Sequence, residues 1–236
     1  MSTRKRVAVM ISGRGSNMAA LIEATKDQSY PADVVGVVSD NAEAPGLTFA
    51  AGRGLPVAVA SRHDYPTKEA HDAAIDAALL GLEPDFVVLA GYMRLLTQGF
   101  VDRWRGRIIN IHPSLLPLLP GLDTHRRALD AGVRVHGCTV HFVTLETDQG
   151  PIIAQAAVPV LTSDTEDELA ARVLKAEHQL YPLALALLAN GKVRMEDGRA
   201  MFDTAGTSQR NGAHVVLSPE LTDDHRNLED LARFTP

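Results

Sequence analysis

The sequence predicts an α/β fold: a mostly parallel, twisted sheet flanked by helices, with an antiparallel extension in the second half. Short continuous apolar runs such as 6–11 and 86–90 are typical of strands buried on both faces of a parallel sheet, and helix-like segments separate them. The segments 136–144 and 151–159 show strand alternation and are joined by a short acidic loop, as antiparallel neighbours would be.

The composition predicts one globular domain. The chain has 236 residues, of which 45% are hydrophobic and 22% charged. We expect a single domain over 1–202, followed by a polar tail at 203–236 with a short helix near 220–234. A net charge of −6 argues against general nucleic-acid binding, and no apolar run approaches the roughly 20 residues needed to span a bilayer.

Cysteine and histidine usage indicates a cytoplasmic protein without a metal centre. The single cysteine, Cys138, excludes an intrachain disulfide framework and favours a buried structural thiol. No metal-ligand spacing of His and Cys is present, and no long apolar signal core follows the basic first residues. The sequence does not decide between a monomer and a homodimer.

The first predicted strand runs into a glycine turn, Ser12-Gly13-Arg14-Gly15-Ser16-Asn17, and then a helix. Glycines allow close backbone approach, Ser16 and Asn17 are candidate helix caps, and a helix N-terminus attracts anions. A dinucleotide fingerprint would place a third glycine where Met18 stands, and a P-loop lysine is missing. A single phosphate fits the turn better, although a turn rich in glycine only for packing is an equal alternative from these residues.

The following elements continue the alternation of strands and helices. They are predicted as strand 33–39, helix 46–53, strand 55–60, helix 65–80 capped by Asp64, strand 86–90 and helix 97–103. Lys68, early in the third helix, is by default a solvated surface lysine. The strand ending at Ala90 is followed by three apolar residues, Met93, Leu95 and Leu96. They can line the bottom of a pocket for a flat ligand, although apolar segments here are more often core.

The strand predicted at 108–112 places two polar side chains together. Because side chains alternate along a strand, Asn110 and His112 share one face while Ile109 and Ile111 share the other. Pro113 must end the strand, so both polar groups lie at its carboxyl end, where open α/β sheets bind ligands. A histidine in such a place, taken alone, is more often structural than catalytic.

The second half adds a loop, a helix, the antiparallel strands and a long helix. The loop 113–123 contains three prolines, and helix 124–131 follows. A structural role is the default for His141, and Glu177 is expected to face water. A capping box at Thr165 opens a helix to about residue 189, in which Pro182 predicts a kink or break, and 192–196 is a possible last strand.

Several segments in register carry a resemblance to a known family. They are Gly13 to Asn17, Asn110 to Pro117, His136 to Val143, Asp148 to Pro151 and Glu177 to Pro182. Over residues 6–202 their order and spacing closely resemble the folate-dependent phosphoribosylglycinamide formyltransferases. The resemblance implies a Rossmann-like formyltransferase fold, whose N-terminal half binds the ribonucleotide and whose C-terminal half holds folate and the catalytic loop.

The resemblance also implies substrates and site residues. It implies transfer of a formyl group from 10-formyltetrahydrofolate to glycinamide ribonucleotide, a step of de novo purine biosynthesis, without a metal. The implied catalytic residues are Asn110, His112 and Asp148. The implied ribonucleotide-binding residues are Gly15, Ser16, Asn17 and Glu177. The implied folate-binding residues are Lys68, Met93, Arg94, Leu95, Leu96 and Asn110.

The chemistry of these residues suits acyl transfer through an oxyanion. Asn110 is a neutral donor, and a protonated His112 is a charge-assisted one. A carboxylate within reach, Asp148, would favour the protonated imidazole and accept the proton of the attacking amine through water. No serine or cysteine nucleophile is required.

Departures from the family concern the loops. Leu118 and Asp123 stand where many members have a basic residue and a histidine, and Gln149 replaces a small residue, which affects loop contacts to anionic groups. Two alternatives remain. A formyltetrahydrofolate hydrolase would carry an N-terminal regulatory domain, for which we expect no room before Arg6. A non-catalytic nucleotide-binding Rossmann module is disfavoured by Met18.

Overall fold

A computed structural model describes residues 4–203, and its centre is a seven-stranded sheet. The strands are Lys5–Ile11 (β1), Ala32–Ser39 (β2), Val57–Val59 (β3), Phe86–Leu89 (β4), Ile108–His112 (β5), Val135–Phe142 (β6) and Ile152–Pro159 (β7). They lie in the order β3-β2-β1-β4-β5-β6-β7; the first five are parallel, whereas β6 and β7 pair antiparallel. The predicted parallel sheet with an antiparallel extension is confirmed.

Helices cover both faces of the sheet. They are Ser16–Ala24 (α1), Pro45–Ala51 (α2), Lys68–Gly81 (α3), Gln98–Arg103 (α4), Thr124–Asp130 (α5) and Glu166–Ala189 (α6). Alternate residues of β1 enter different cores: Val7, Val9 and Ile11 pack into one apolar cluster, and Ala8 and Met10 into the other. This double burial explains why the strand is an unbroken apolar run from Val7 to Ile11.

The third helix begins later than predicted. It starts at Lys68, and Thr67 caps it by accepting a hydrogen bond from the backbone N–H of Ala70. Asp64 instead ends a short 3₁₀ turn. Pro66 is the physical reason, because a proline pushes the residue before it, Tyr65, into the extended conformation that this residue adopts here.

The long helix α6 has the predicted capping box at its start. The Thr165 hydroxyl accepts from the Glu168 N–H, and the Glu168 carboxylate accepts from the Thr165 N–H. The helix continues through Pro182 to Ala189 rather than breaking there. The fully buried Tyr181 anchors this turn, since its hydroxyl lies 2.9 Å from the Leu89 carbonyl on β4.

The predicted last strand is half of a hairpin. Val193–Glu196 (β8) pairs with Arg199–Phe202 (β9), a strand that the prediction missed, in a separate two-stranded sheet. The turn residues Asp197 and Gly198 both have positive φ, and an Asp-Gly pair is the sequence signal for such a turn. The helix predicted near 220–234 lies outside the described residues, and within 4–203 no helix is long and apolar enough to cross a membrane.

Candidate active site

The candidate site lies where the direction of the sheet's connections reverses. Chain order runs from β1 outward to β3 on one side and continues with β4 and β5 on the other. A crevice therefore opens outside the carboxyl ends of β1 and β4, the usual ligand site of open α/β sheets. Ser12, just after β1, joins its two walls: its N–H donates to the Gly91 carbonyl, and its hydroxyl accepts from the Met93 N–H.

Asn110 and His112 lie side by side at the end of β5, as the strand alternation predicted. The opposite face, with Ile109 and Ile111, packs into the core. The His112 ring is 6% exposed and has an acceptor at each nitrogen. Its Nδ1 is 3.4 Å from the Asp148 Oδ2, and its Nε2 is 3.0 Å from the Leu119 carbonyl oxygen. Because a carbonyl oxygen only accepts, Nε2 carries a hydrogen in this arrangement.

Asp148 holds two loops together beside His112. Its Oδ2 accepts a 2.8 Å hydrogen bond from the Gly121 N–H, in the proline-containing loop. Its backbone is left-handed, with φ of 57°, a conformation that Asp and Asn adopt more readily than most residues. Gly150 then lets the loop return to β7, since a Cβ there would lie 1.7 Å from the Phe142 carbonyl oxygen.

His141, expected to be only structural, lies next to Asn110. The two residues are direct partners across the antiparallel β5–β6 pair, and His141 Nε2 is 3.3 Å from Asn110 Nδ2. The Nδ1 atom of His141 is 2.9 Å from the Phe142 carbonyl oxygen. Burial lowers the pKa of His141 below its ordinary value, against the opposing effects of that hydrogen bond and of Asp148. The strand register, which the sequence alone does not give, was the missing signal.

The glycine turn and the long helix meet through a buried hydrogen bond. Asn17 Nδ2 donates to Glu177 Oε2 at 2.7 Å, which brings together two predicted ribonucleotide-binding side chains. The expectation that Glu177 faces water is wrong: it is 7% exposed, and burial raises its carboxyl pKa, although the bond from Asn17 opposes this.

The N-terminus of α1 is formed differently from the expectation. Gly15, with φ of 70°, occupies the cap position, and no side chain caps the helix. The prediction that Ser16 and Asn17 act as caps is wrong, because both are already helical residues and the Asn17 amide is turned toward α6. A side chain at position 15 would be strained by the positive φ and would lie 2.9 Å from the Met18 methyl carbon, so this position favours glycine.

A basic pocket of about 340 Å³ opens beside the crevice. It is lined by Arg62, Lys68, His71, Met93, Arg94 and Leu95. Lys68 is fixed rather than freely solvated, since its Nζ donates to the Leu96 carbonyl at 3.1 Å. The side chains of Met93 and Leu95 are 71% and 65% exposed, whereas the Leu96 side chain lies in the core.

Two of the residues that line this pocket were not predicted from the sequence. Arg62 and His71 were not predicted as lining residues, because they approach the pocket from outside its predicted segments. Arg94 is 3.5 Å from the Asp40 carboxylate. Across residues 4–203, no group of three or more His, Cys, Asp or Glu side chains is arranged to hold a metal ion.

Comparison with known proteins reveals clear relatives. The model of the formyl transferase family matches residues 5–185. Phosphoribosylglycinamide formyltransferase of Escherichia coli is 44% identical over 84% of this chain and 93% of its own length. A crystal structure of phosphoribosylglycinamide formyltransferase from Brucella melitensis is 60% identical, covers 79% of this chain and 96% of that one, and superposes with a TM-score of 0.77.

A longer relative matches only in part. The trifunctional purine biosynthetic protein adenosine-3 of Drosophila melanogaster is 52% identical over 80% of this chain, which spans only 14% of that protein. The fold, the matched family model and two relatives matched over nearly their full length agree with the sequence motifs. The chain therefore belongs to the formyl transferase family.

Proposed function

We propose that this protein transfers the formyl group of 10-formyltetrahydrofolate to the amine of glycinamide ribonucleotide, in purine biosynthesis. The observation that carries the proposal is the cluster of Asn110, His112 and Asp148 at the carboxyl end of β5, linked by the contact of His112 with Asp148 and by His141, which contacts both Asn110 and Asp148. Family membership and the names of the E. coli and B. melitensis relatives support it. We infer that the residues up to about 202 form one catalytic domain.

The proposed reaction needs donors for a developing oxyanion. Attack of the amine on the formyl carbon places negative charge on the formyl oxygen. The Asn110 amide and the His112 ring supply an N–H each from alternate positions on one face of a paired strand. Removal of one such donor typically costs about 3 kcal/mol of transition-state stabilisation.

The proline-containing loop must yield for His112 to act through Nε2. That nitrogen is now engaged by the Leu119 carbonyl, at 3.0 Å. If Nε2 donates to the formyl oxygen, the Leu119 carbonyl has to move aside as the formylated folate enters the site. The same loop holds Asp148 through Gly121, so its movement would affect both groups together.

Asp148 is the proposed acceptor for the proton that leaves the attacking amine. Its carboxylate is 10% exposed, so water can reach it, and its Oδ2 faces the His112 Nδ1. This proton would pass through water to the carboxylate, and from there to the folate N10 when the bond between N10 and the formyl carbon breaks. The products are then a neutral formamide on the ribonucleotide and tetrahydrofolate with a neutral N10. Until the amine proton arrives, the Asp148 carboxylate, whose Oδ2 is 3.4 Å from Nδ1, would stabilise the His112 imidazolium.

The two ends of the site suit the two proposed substrates. The positive end of α1, with Gly15 at its cap, fits a phosphate, and Glu177 offers acceptor oxygens to ribose hydroxyls. On the other side, the exposed Met93 and Leu95 side chains can pack against a flat ring, and Lys68 and Arg94 offer charge to the carboxylates of a folate.

The experiment that tests this function follows donor consumption by absorbance, with and without glycinamide ribonucleotide. Ribonucleotide-dependent consumption is the expected result. Equal consumption without the acceptor would instead indicate a hydrolase. Stabilisation of the protein by NAD, with none by folates, would favour a nucleotide-binding module.

A further inference from the structure

We propose that His141 is a positioning residue, which holds the Asn110 amide in the orientation that leaves one N–H free for the reacting formyl oxygen. The inference rests on the proposed function, in which Asn110 donates to that oxygen. It concerns a residue that touches neither proposed substrate directly and acts through its strand partner.

The first step is the tautomer of His141. The ring is 2% exposed, and its Nδ1 lies 2.9 Å from the Phe142 carbonyl oxygen. A carbonyl oxygen cannot donate, so the hydrogen of this bond belongs to Nδ1. Burial disfavours the charged ring and so favours the neutral one. Since the hydrogen of the neutral ring is on Nδ1, its lone pair is on Nε2.

The second step is the orientation of the Asn110 amide. The lone pair at His141 Nε2 is 3.3 Å from Asn110 Nδ2, and only an amide N–H can meet it favourably. An amide group has nearly the same shape in its two orientations, so a hydrogen-bond partner must select one. The reversed amide would set two acceptors against each other and would offer its oxygen, rather than a hydrogen, to the oxyanion.

The third step is the surroundings of Nε2. The nearest Asp148 oxygen is 3.9 Å away, which is beyond hydrogen-bond distance, so Asn110 is the closer partner. His141 thus gives the neutral oxyanion donor a fixed direction.

Two substitutions at this position separate the two ring nitrogens. His141→Asn keeps a donor near the Nδ1 position, for the Phe142 carbonyl, but cannot reach Asn110. His141→Gln places an amide oxygen near the Nε2 position and so retains an acceptor for Asn110. We expect His141→Asn to lower kcat by about tenfold to a hundredfold with the KM of both substrates little changed, and His141→Gln to retain most of kcat.

The decisive control is the same His141→Asn change on an Asn110→Ala background. If His141 acts through Asn110, the second substitution lowers kcat no further. Equal losses in both backgrounds, or a His141→Gln variant as slow as His141→Asn, would overturn the proposal. A wild-type protein without ribonucleotide-dependent transfer would instead refute the proposed function itself, and this inference with it.

Nitrogen NMR of the wild-type protein tests the tautomer without any variant. At neutral pH the His141 ring should show a protonated Nδ1 and an unprotonated Nε2. A hydrogen on Nε2, in either the other neutral tautomer or the imidazolium, would remove the acceptor for Asn110 and refute the proposal.

Discussion

Asp148 is the residue on which both loops of the candidate site depend. Its carboxylate faces His112 Nδ1 on one side and accepts from the Gly121 N–H on the other. It therefore combines an electrostatic role toward the imidazole with a structural role toward the loop. A substitution that preserves the second role and removes the first can separate them.

Asp148→Asn is that substitution. Asparagine tolerates the left-handed backbone and keeps an oxygen for Gly121, but it removes the negative charge and the proton acceptor. We expect kcat to fall by about 10² to 10⁴-fold with both substrates saturating, and the melting temperature to change little. A kcat near the wild-type value would show that Asp148 takes no part in the chemical step.

Residues of the site differed in how far the sequence alone could predict them. Strand alternation was sufficient to put Asn110 and His112 on one face, because both are in one element. Glu177 was expected in water, since its burial depends on α1 packing against α6 and on Asn17 reaching across. His141 required the register between two strands, which side-chain pattern does not fix.

Individual elements show how local signals decide boundaries. The capping box at Thr165 was predictable because it consists of two residues three positions apart, and it is present. The start of α3 and the turn before β9 also have local signals, a proline just before the cap and an Asp-Gly pair, but both were overlooked in the prediction from sequence. Pro182 does not break α6, and beside it the Tyr181 hydroxyl holds the helix to the Leu89 carbonyl of β4.

The cap of α6 can be tested in isolation from the active site. Thr165→Ala removes the hydroxyl that accepts from the Glu168 N–H, and we expect a loss of about 1 kcal/mol in the free energy of unfolding. Thr165→Ser, which keeps the hydroxyl, should stay near the wild type. Denaturant titration of the three proteins provides the comparison, and equal stability of Thr165→Ala and the wild type would contradict the cap's contribution.

The whole molecule combines a predictable sheet with a strand order that the sequence left open. The alternation of strands and helices predicted parallel pairing, and the second half predicted the antiparallel edge. β1 lies between β2 and β4, in the middle of the five parallel strands, and packs into a core on each face. No single segment encodes this order. This order creates the reversal beside which Asn110, His112 and Asp148 are assembled.

Stability of the whole molecule should depend on pH through buried histidines. Burial, and secondarily the neighbouring His125, lowers the pKa of His136 to about 4 from an ordinary value of 6.5. Between those pH values the unfolded chain binds a proton at this histidine that the folded chain does not. The part of the stability that depends on His136 is therefore fully present above pH 6.5 and is lost as the pH falls toward 4. The difference between the two pKa values corresponds to a loss of about 3 kcal/mol in the free energy of unfolding once the pH is below 4.

A neutral replacement tests this dependence. His136→Gln should make the free energy of unfolding fall less steeply between pH 6.5 and 4 than in the wild type. The same change at His63, which is exposed, should leave the slope as it is. Parallel slopes for the wild type and His136→Gln in denaturant titrations at several pH values would argue against a buried, neutral His136.

The fate of the formyl carbon tests the central claim most directly. The measurement uses 10-formyltetrahydrofolate labelled with carbon-13 in its formyl group, incubated with the protein and glycinamide ribonucleotide and followed by NMR. The account predicts that the label appears in formylated ribonucleotide, with one labelled formyl group transferred for each molecule of donor consumed. Label released as formate at the same rate with or without the ribonucleotide, or label that stays on the donor, would contradict it.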